Sequence, residues 1–140
     1  MVIVDTNVLS ELMRPSPAKI VLDWVQGHSG RDVFTTAITV AEIRYGIERL
    51  PEGRRQQTLR AAAVEIFSAF GDKILPFDAA AAEQYALVVS DRDDLGLPIG
   101  GFDGQIAGIC RAHGSPLATR NVTDFEQTGV AVINPWQPEA

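Results

Sequence analysis

The sequence predicts an α/β protein built on a five-stranded, mostly parallel sheet that is flanked by helices on both faces. Short apolar or β-branched runs alternate with longer segments whose apolar residues recur at helical spacing, as in a sheet with crossover helices. The length of 140 residues suits one domain, so we expect a single domain over residues 1–140. Hydrophobic residues make up 46% and charged residues 21%, which excludes a disordered or fibrous chain.

Five segments are predicted to be strands. Residues 1–4 form a continuous apolar run, which is typical of a strand buried on both faces. Residues 33–36 are β-branched and aromatic, which indicates a second strand. The remaining strands are expected at residues 74–77, 116–119 and 130–133.

Helices are predicted between these strands. Asp5, Thr6 and Asn7 are favourable N-cap residues for a first helix, and a second helix follows the prolines at 15 and 17. Further helices are expected over residues 39–50 and 54–70, from the N-cap at 78 to about residue 91, and from about Asp103 to Gly114.

Four carboxylates occupy positions that bring them to one edge of this sheet. They are Asp5 directly after the first strand, Glu42 in the first turn of the helix after the second, Asp103 at the start of the helix before the fourth, and Asp124 in the loop after it. The carboxyl ends of parallel strands meet at one edge, where ligands bind. Carboxylates ~5 Å apart repel by roughly 3 kcal/mol per ionised pair, so such a cluster persists by protonation or by binding cations.

Each acid also has a purely structural interpretation. Asp5 can cap the first helix, Glu42 can form a capping box with Thr39, Asp103 can interact with the helix dipole, and Asp124 can be a turn residue. The joint placement at one edge favours a site. Oxygen ligands without a nearby His or Cys indicate Mg²⁺ or Mn²⁺ rather than zinc, and such a metal suits phosphodiester hydrolysis.

Six segments resemble the PIN-domain ribonucleases of the VapC toxin family. Four of them are V-I-V-D-T-N-V-L-S-E-L (2–12), T-A-I-T-V-A-E-I-R-Y-G (36–46), F-D-G-Q-I-A (102–107) and L-A-T-R-N-V-T-D-F (117–125). The other two, I-L-P-F-D (74–78) and V-A-V-I-N-P-W (130–136), are similar to the FitB-like branch. The resemblance covers essentially the whole chain and implies a single PIN domain.

This resemblance implies the toxin component of a type II toxin–antitoxin pair. The implied activity is an endoribonuclease that uses Mg²⁺ or Mn²⁺ and an activated water, and that leaves 5′-phosphate and 3′-hydroxyl ends. The implied metal ligands and catalytic acids are Asp5, Glu42, Asp103 and Asp124. Thr6 and Thr119 match hydroxyl positions that orient an acid or a water, and Asn121 matches a polar position beside the site.

The resemblance also implies partners. It indicates a homodimer and a cognate antitoxin of the VapB or FitA type, whose tail blocks the acidic pocket and whose DNA-binding half carries the complex to operator DNA. No apolar run approaches the ~20 residues of a membrane span, and no signal peptide precedes the early aspartate. We therefore expect a cytoplasmic protein with no membrane partner.

The net charge of −6 argues against binding RNA by overall charge, so a local basic region is needed. Arginines are densest across two successive helices. Either they are solvated on the helix faces or they form a track for RNA phosphates, with candidate contacts at Arg44, Arg49, Arg54 and Arg55.

Two other functions are consistent with parts of the pattern. A non-catalytic corepressor that dimerises a DNA-binding antitoxin would use the acidic pocket only to receive its partner, but docking needs no cluster of this kind. A receiver-like phosphoacceptor domain has adjacent acids after its first strand and a lysine after its last. Here Thr6 follows Asp5, and the lysines are at positions 19 and 73.

Overall fold

The computed structural model describes residues 1–28 and 32–138 and contains a five-stranded sheet. The strands are β1 (Val2–Val4), β2 (Val33–Thr36), β3 (Ile74–Leu75), β4 (Leu117–Ala118) and β5 (Val132–Ile133). They lie in the order β3-β2-β1-β4-β5, and every neighbouring pair is parallel. The predicted α/β class is therefore confirmed, with a sheet that is wholly parallel over these strands.

Six α-helices connect and cover the strands in the described part of the chain. They are α1 (Thr6–Leu12), α2 (Lys19–Gly27), α3 (Ala37–Glu48), α4 (Arg54–Phe70), α5 (Ala79–Asp94) and α6 (Gly101–His113). Short 3₁₀ turns follow α4 and β4, at Gly71–Lys73 and Val122–Phe125. None of the helices among these residues is long and apolar enough to cross a membrane.

The central strand β1 is buried on both faces because side chains alternate along a strand. Val2 and Val4 pack into one cluster with residues of α1 to α4, whereas Ile3 packs into a second cluster with residues of α5 and α6. The three side chains are at most 3% exposed. Strands β2 and β3 lie on one side of β1, and β4 and β5 lie on the other side. The carboxyl end of β1 is therefore the point at which the strand order switches direction, and ligands bind at such points in parallel sheets.

Several predicted boundaries were wrong, for local reasons. The third strand was expected over residues 74–77, but β3 ends at Leu75 because Pro76 has no N–H to donate to a neighbouring strand. The fourth and fifth strands are likewise shorter than the predicted 116–119 and 130–133. Helix α3 begins two residues before the predicted start at 39, because Thr36 caps it through a hydrogen bond from the Thr39 amide at 3.1 Å.

Close contact between α5 and α6 depends on glycine. A Cβ atom at Gly108 would lie 2.6 Å from the carbonyl oxygen of Ala81 and 3.0 Å from the amide nitrogen of Tyr85. Both neighbours are backbone atoms that cannot turn away, so only glycine allows this approach. The packing holds α6 against α5 and thereby fixes the start of α6, which carries Asp103.

Candidate active site

Asp5 lies at the carboxyl end of β1 and is only 3% exposed. Its Oδ1 accepts a hydrogen bond from the Thr6 amide at 2.8 Å, which makes it the N-cap of α1. Its Oδ2 accepts a hydrogen bond from the Thr119 hydroxyl at 2.7 Å. Burial raises the pKa of Asp5, the hydrogen bonds from Thr119 and Thr6 oppose this, and the charge of Asp124 adds to it. The structural and functional interpretations of Asp5 are therefore compatible.

The Thr119 hydroxyl joins the carboxyl ends of β1 and β4. Besides donating to Asp5, its Oγ1 accepts hydrogen bonds from the Asn7 side-chain amide at 3.0 Å and from the Asn121 backbone amide at 3.1 Å. Asn7 also accepts a hydrogen bond from the Arg120 amide at 3.1 Å. Sequence reasoning treated Asn7 only as a helix cap, because two of its partners, Thr119 and Arg120, are more than a hundred residues away.

Glu42 lies in the second turn of α3, so the predicted placement in the first turn and the capping box with Thr39 are wrong. Thr36 performs the capping instead. The carboxylate of Glu42 accepts a hydrogen bond from the Thr6 hydroxyl at 2.9 Å. Burial raises the pKa of Glu42, the Thr6 hydrogen bond opposes this, and repulsion from Asp5 adds to the rise.

Asp103 lies in the first turn of α6 and is half-buried. Burial raises its pKa to about 6, with further contributions from repulsion by Asp5, Asp124 and Glu42, while Arg92 lowers it. The charges of Asp5, Asp124 and Glu42 thus act on Asp103, in keeping with the position of all four acids at the same edge of the sheet.

Asp124 is exposed and lies in the 3₁₀ turn Val122–Phe125. The buried guanidinium of Arg92, near the end of α5, holds this turn. It donates to the carbonyl oxygen of Asp124 at 3.2 Å, to that of Leu97 at 2.6 Å and to that of Glu126. Sequence reasoning missed Arg92, since an arginine in the last turn of a helix is typical of a solvated helix end.

The four carboxylates share one edge of the sheet but are not gathered at ligation distance. Among residues 1–28 and 32–138, no three Asp, Glu, His or Cys side chains lie close enough together to hold one metal ion. Like charges repel, and Thr119 and Thr6 hold Asp5 and Glu42 separately.

The donor chemistry nevertheless fits a hard divalent cation. The available ligands are carboxylate oxygens, which Mg²⁺ and Mn²⁺ prefer. Nδ1 of His28 lies at hydrogen-bond distance, 2.8 Å, from the Trp24 carbonyl oxygen, and the imidazole ring packs against the Trp24 ring. Cys110 is buried in the core beneath the site, and burial raises the pKa of its thiol to about 12, so it offers no thiolate.

A cleft of about 520 Å³ opens at this edge. It is lined by the acids Asp5, Glu11, Glu42 and Asp103, by the polar residues Thr6, Asn7, Ser10 and Asn121, and by Arg14, Arg120 and Trp136. A larger groove of about 920 Å³ adjoins it between α1, α3 and α4, with apolar side chains such as Met13, Ile43, Ile47 and Leu59. Thr6, Ser10, Arg14 and Glu42 line both, so the groove leads into the cleft.

The four arginines predicted to form a basic track do not all lie along the groove and the cleft. Arg54 and Arg55 line the groove. The guanidinium carbon of Arg44 lies 5.4 Å from the centroid of the Phe67 ring, and Arg44 and Arg49 line neither the groove nor the cleft. The track that could lead to the acids is therefore shorter than predicted.

Comparison with known proteins finds similarity along nearly the whole chain. The profile of the PIN domain matches residues 2–130. The chain is 38% identical over 139 residues to the VapC ribonuclease Y4jK of Sinorhizobium fredii, covering 99% of each protein. It is 39% identical to the toxin FitB of Neisseria gonorrhoeae, over 97% of this chain and 99% of FitB. A solved structure of FitAB bound to an IR36 DNA fragment contains a chain that superposes with a TM-score of 0.92 at 38% identity, covering 100% of this chain and 99% of that one.

Proposed function

The chain belongs to the PIN domain family, and from this we propose that it is the toxin of a type II toxin–antitoxin pair, a divalent-metal-dependent endoribonuclease. The observation that carries the proposal is the cleft at the carboxyl edge of the sheet, which is lined by Asp5, Glu42 and Asp103 and lies beside the turn that contains Asp124. The full-length similarity to a VapC ribonuclease supports RNA as the substrate.

In the proposed reaction Asp5, Glu42, Asp103 and Asp124 would be the residues that hold the metal, and the cation would be Mg²⁺ or Mn²⁺ because the donors are carboxylate oxygens. When bound, this cation supplies an activated water and offsets charge on the phosphate oxygens. Thr119 fixes the orientation of Asp5, and Thr6 fixes that of Glu42. Asn121 donates its backbone amide to Thr119 and so supports the same network.

The resemblance to the family implies an antitoxin partner, and the shape and charge of the site are suited to receive one. An antitoxin of the VapB or FitA type would lay an amphipathic segment in the apolar groove and place an arginine in the acidic cleft, since guanidinium pairs well with carboxylates. The solved complex of FitAB with DNA supports operator binding through that partner. We propose a homodimer for the toxin itself, on the resemblance to the family.

Removal of divalent metal tests the proposed activity. Purified, antitoxin-free protein is expected to cut total cellular RNA at discrete positions with Mg²⁺ or Mn²⁺, to stop in EDTA, and to resume when metal is restored. Undiminished cutting in EDTA would contradict the metal requirement. If folded, metal-loaded protein cuts no RNA, the corepressor function, in which the cleft only receives a partner, becomes the better explanation.

Arg54 and Arg55 are proposed to bind RNA phosphates in the groove that leads to the cleft. Replacing both with alanine is expected to weaken RNA binding ~3- to 10-fold. The slope of log K against log[salt] is expected to become shallower by the amount that corresponds to about two phosphate contacts. Arg44 and Arg49 remain proposed contacts only for RNA that extends beyond the groove.

The matched control is a Lys19→Ala/Arg60→Ala variant. It removes two positive charges that pair with Asp23 and Glu48 on the surface, at 2.6 and 2.7 Å. Equal salt slopes for wild type, the Arg54/Arg55 variant and this control would show that the two arginines are merely solvated.

A further inference from the structure

Part of the cleft lining, here called the wall, comes from the segments that follow β4 and β5. It contains Arg120, which follows β4, and Trp136, which lies in the turn after β5. The guanidinium carbon of Arg120 lies 4.9 Å from the centroid of the Trp136 ring, a distance at which a cation is attracted to an aromatic face.

Both residues are positioned by backbone hydrogen bonds. The amide of Arg120 donates to Oδ1 of Asn7 at 3.1 Å, which ties this wall to the same network that orients Asp5. The amide of Trp136 donates to Oδ1 of Asn134 at 3.0 Å. The aromatic ring also packs against the core cluster on one side of the sheet. The backbone of both residues is therefore held in place, and the fold sets the position of the Arg120–Trp136 pair in the cleft.

Arg120 is exposed and lines the cleft together with Glu11. The pKa of Glu11 is lowered by the hydrogen bond from the Ala18 amide, by Arg14 and also by the charge of Arg120, which lies farther away than an ion pair. The other arginine lining the cleft, Arg14, forms an ion pair with Glu11 at 3.1 Å. Within residues 1–28 and 32–138, Arg120 forms no salt bridge. In a chain of net charge −6, a phosphate that approaches the acids needs a positive group beside them, and Arg120 is placed to supply it.

We propose that Arg120 and Trp136 form a subsite for an unpaired nucleotide next to the scissile phosphate. The N–H groups of Arg120 bind the phosphate of that nucleotide, and its base stacks on the Arg120–Trp136 pair. A base within a duplex is already stacked on its neighbours and cannot reach such a platform, whereas bases in loops and single strands can. The inference concerns these two residues as the place that takes such a nucleotide, and it rests on the proposed ribonuclease function.

Kinetics on matched RNAs test this subsite. The substrate is a short RNA containing a site mapped with the wild type, supplied either unpaired or within a hairpin stem. The wild type is expected to prefer the unpaired form by ~100-fold or more. Arg120→Ala and Trp136→Leu are each expected to raise KM about 5- to 100-fold, the range of losses for a removed base–aromatic contact, with kcat changed less than ~3-fold. Trp136→Phe should retain most of the affinity, and Lys19→Ala is the charge-matched control.

Fluorescence gives a readout that requires no cleavage. The chain has two tryptophans, so Trp24→Phe leaves Trp136 as the sole reporter. Titration with the unpaired RNA in EDTA is expected to quench this fluorescence, and the stem form is expected to leave it unchanged. Thermal melting of each variant identifies any loss that comes from unfolding.

The outcomes separate the two proposals. One outcome would show that the subsite is wrong and leave the proposed ribonuclease function intact. In that outcome the wild type cleaves RNA, Arg120→Ala and Trp136→Leu have the same KM as Lys19→Ala, and RNA does not change the fluorescence of Trp136. If these variants lose binding to an antitoxin but not to RNA, the wall is a protein interface and the subsite is also wrong. Failure of the folded wild type to cleave any RNA overturns the ribonuclease and the subsite together.

Discussion

Asp103→Asn is expected to lower RNA cleavage at least ~10³-fold while making the metal-free protein more stable. Loss of activity is expected because the carboxylate is a proposed metal ligand, and even outer residues of a metal site typically contribute ~10- to 100-fold. The gain in stability is expected because this carboxylate is repelled by Asp5, Asp124 and Glu42 and is partly desolvated. An amide of the same shape removes both costs.

The sign of the pH dependence follows from the raised pKa of Asp103. The folded protein holds this proton up to about pH 6, whereas the unfolded chain releases it near 3.8. The group therefore favours folding fully below pH ~4, and this contribution is lost as the pH rises through about 6. At pH 7.5 we expect Asp103→Asn to be more stable by on the order of 1 kcal/mol, a value reduced for its half-exposed position.

Urea unfolding in EDTA at pH 7.5 and at pH 4.5 measures this difference. The stability gain of Asp103→Asn should shrink at the lower pH, and Mn²⁺ at pH 7.5 should stabilise the wild type more than the variant by mass action. If the variant is less stable than the wild type at pH 7.5, or if its gain in stability is independent of pH, the folded protein does not disfavour the ionised form of Asp103.

Thr119→Val is expected to cost about 2 kcal/mol of stability and ~10- to 100-fold in activity, because a fully buried hydroxyl with three hydrogen bonds becomes a methyl group. The substitution leaves Oδ2 of Asp5 without its 2.7 Å partner and removes the acceptor of the Asn7 side chain. Asp5 would then be oriented mainly by the Thr6 amide on Oδ1, and its Oδ2 would be held less firmly.

Thr119→Ser is the matched control, since it keeps the hydroxyl and removes only a methyl group. Chemical denaturation and the rate of RNA cleavage should both place Thr119→Ser much nearer to the wild type than Thr119→Val. If the two variants behave alike, volume and not hydrogen bonding is what matters at this position.

The sequence was sufficient to predict the sheet edge because that prediction needs only local signals. Apolar residues located β1 and the strand predicted at 116–119, and the rule for parallel strands then placed Asp5 and Asp124 at one edge. The error at α3 was also local. Thr36 and Thr39 are both good N-caps three residues apart, and the sequence does not reveal that Thr36 ends the strand and starts the helix.

The parts that the sequence could not predict depend on distant partners. Thr6 and Glu42 are 36 residues apart, and Thr119 and Asp5 are 114 apart, yet these hydrogen bonds set the orientation of two carboxylates. The same holds for Arg92, whose carbonyl partners include one 32 residues away. No spacing rule relates such pairs, because their distance in space is decided by strand order and helix packing.

The chemistry of the cut ends tests most directly whether these carboxylates support hydrolysis by a metal-activated water. RNA should be incubated with wild type and with Asp103→Asn in Mg²⁺, and the products mapped at both ends. We expect 5′-phosphate and 3′-hydroxyl ends from the wild type and none from the variant. Ends carrying a 2′,3′-cyclic phosphate, formed equally by both proteins and in EDTA, would contradict the proposed mechanism, since the attacking group would then be the RNA's own 2′-hydroxyl.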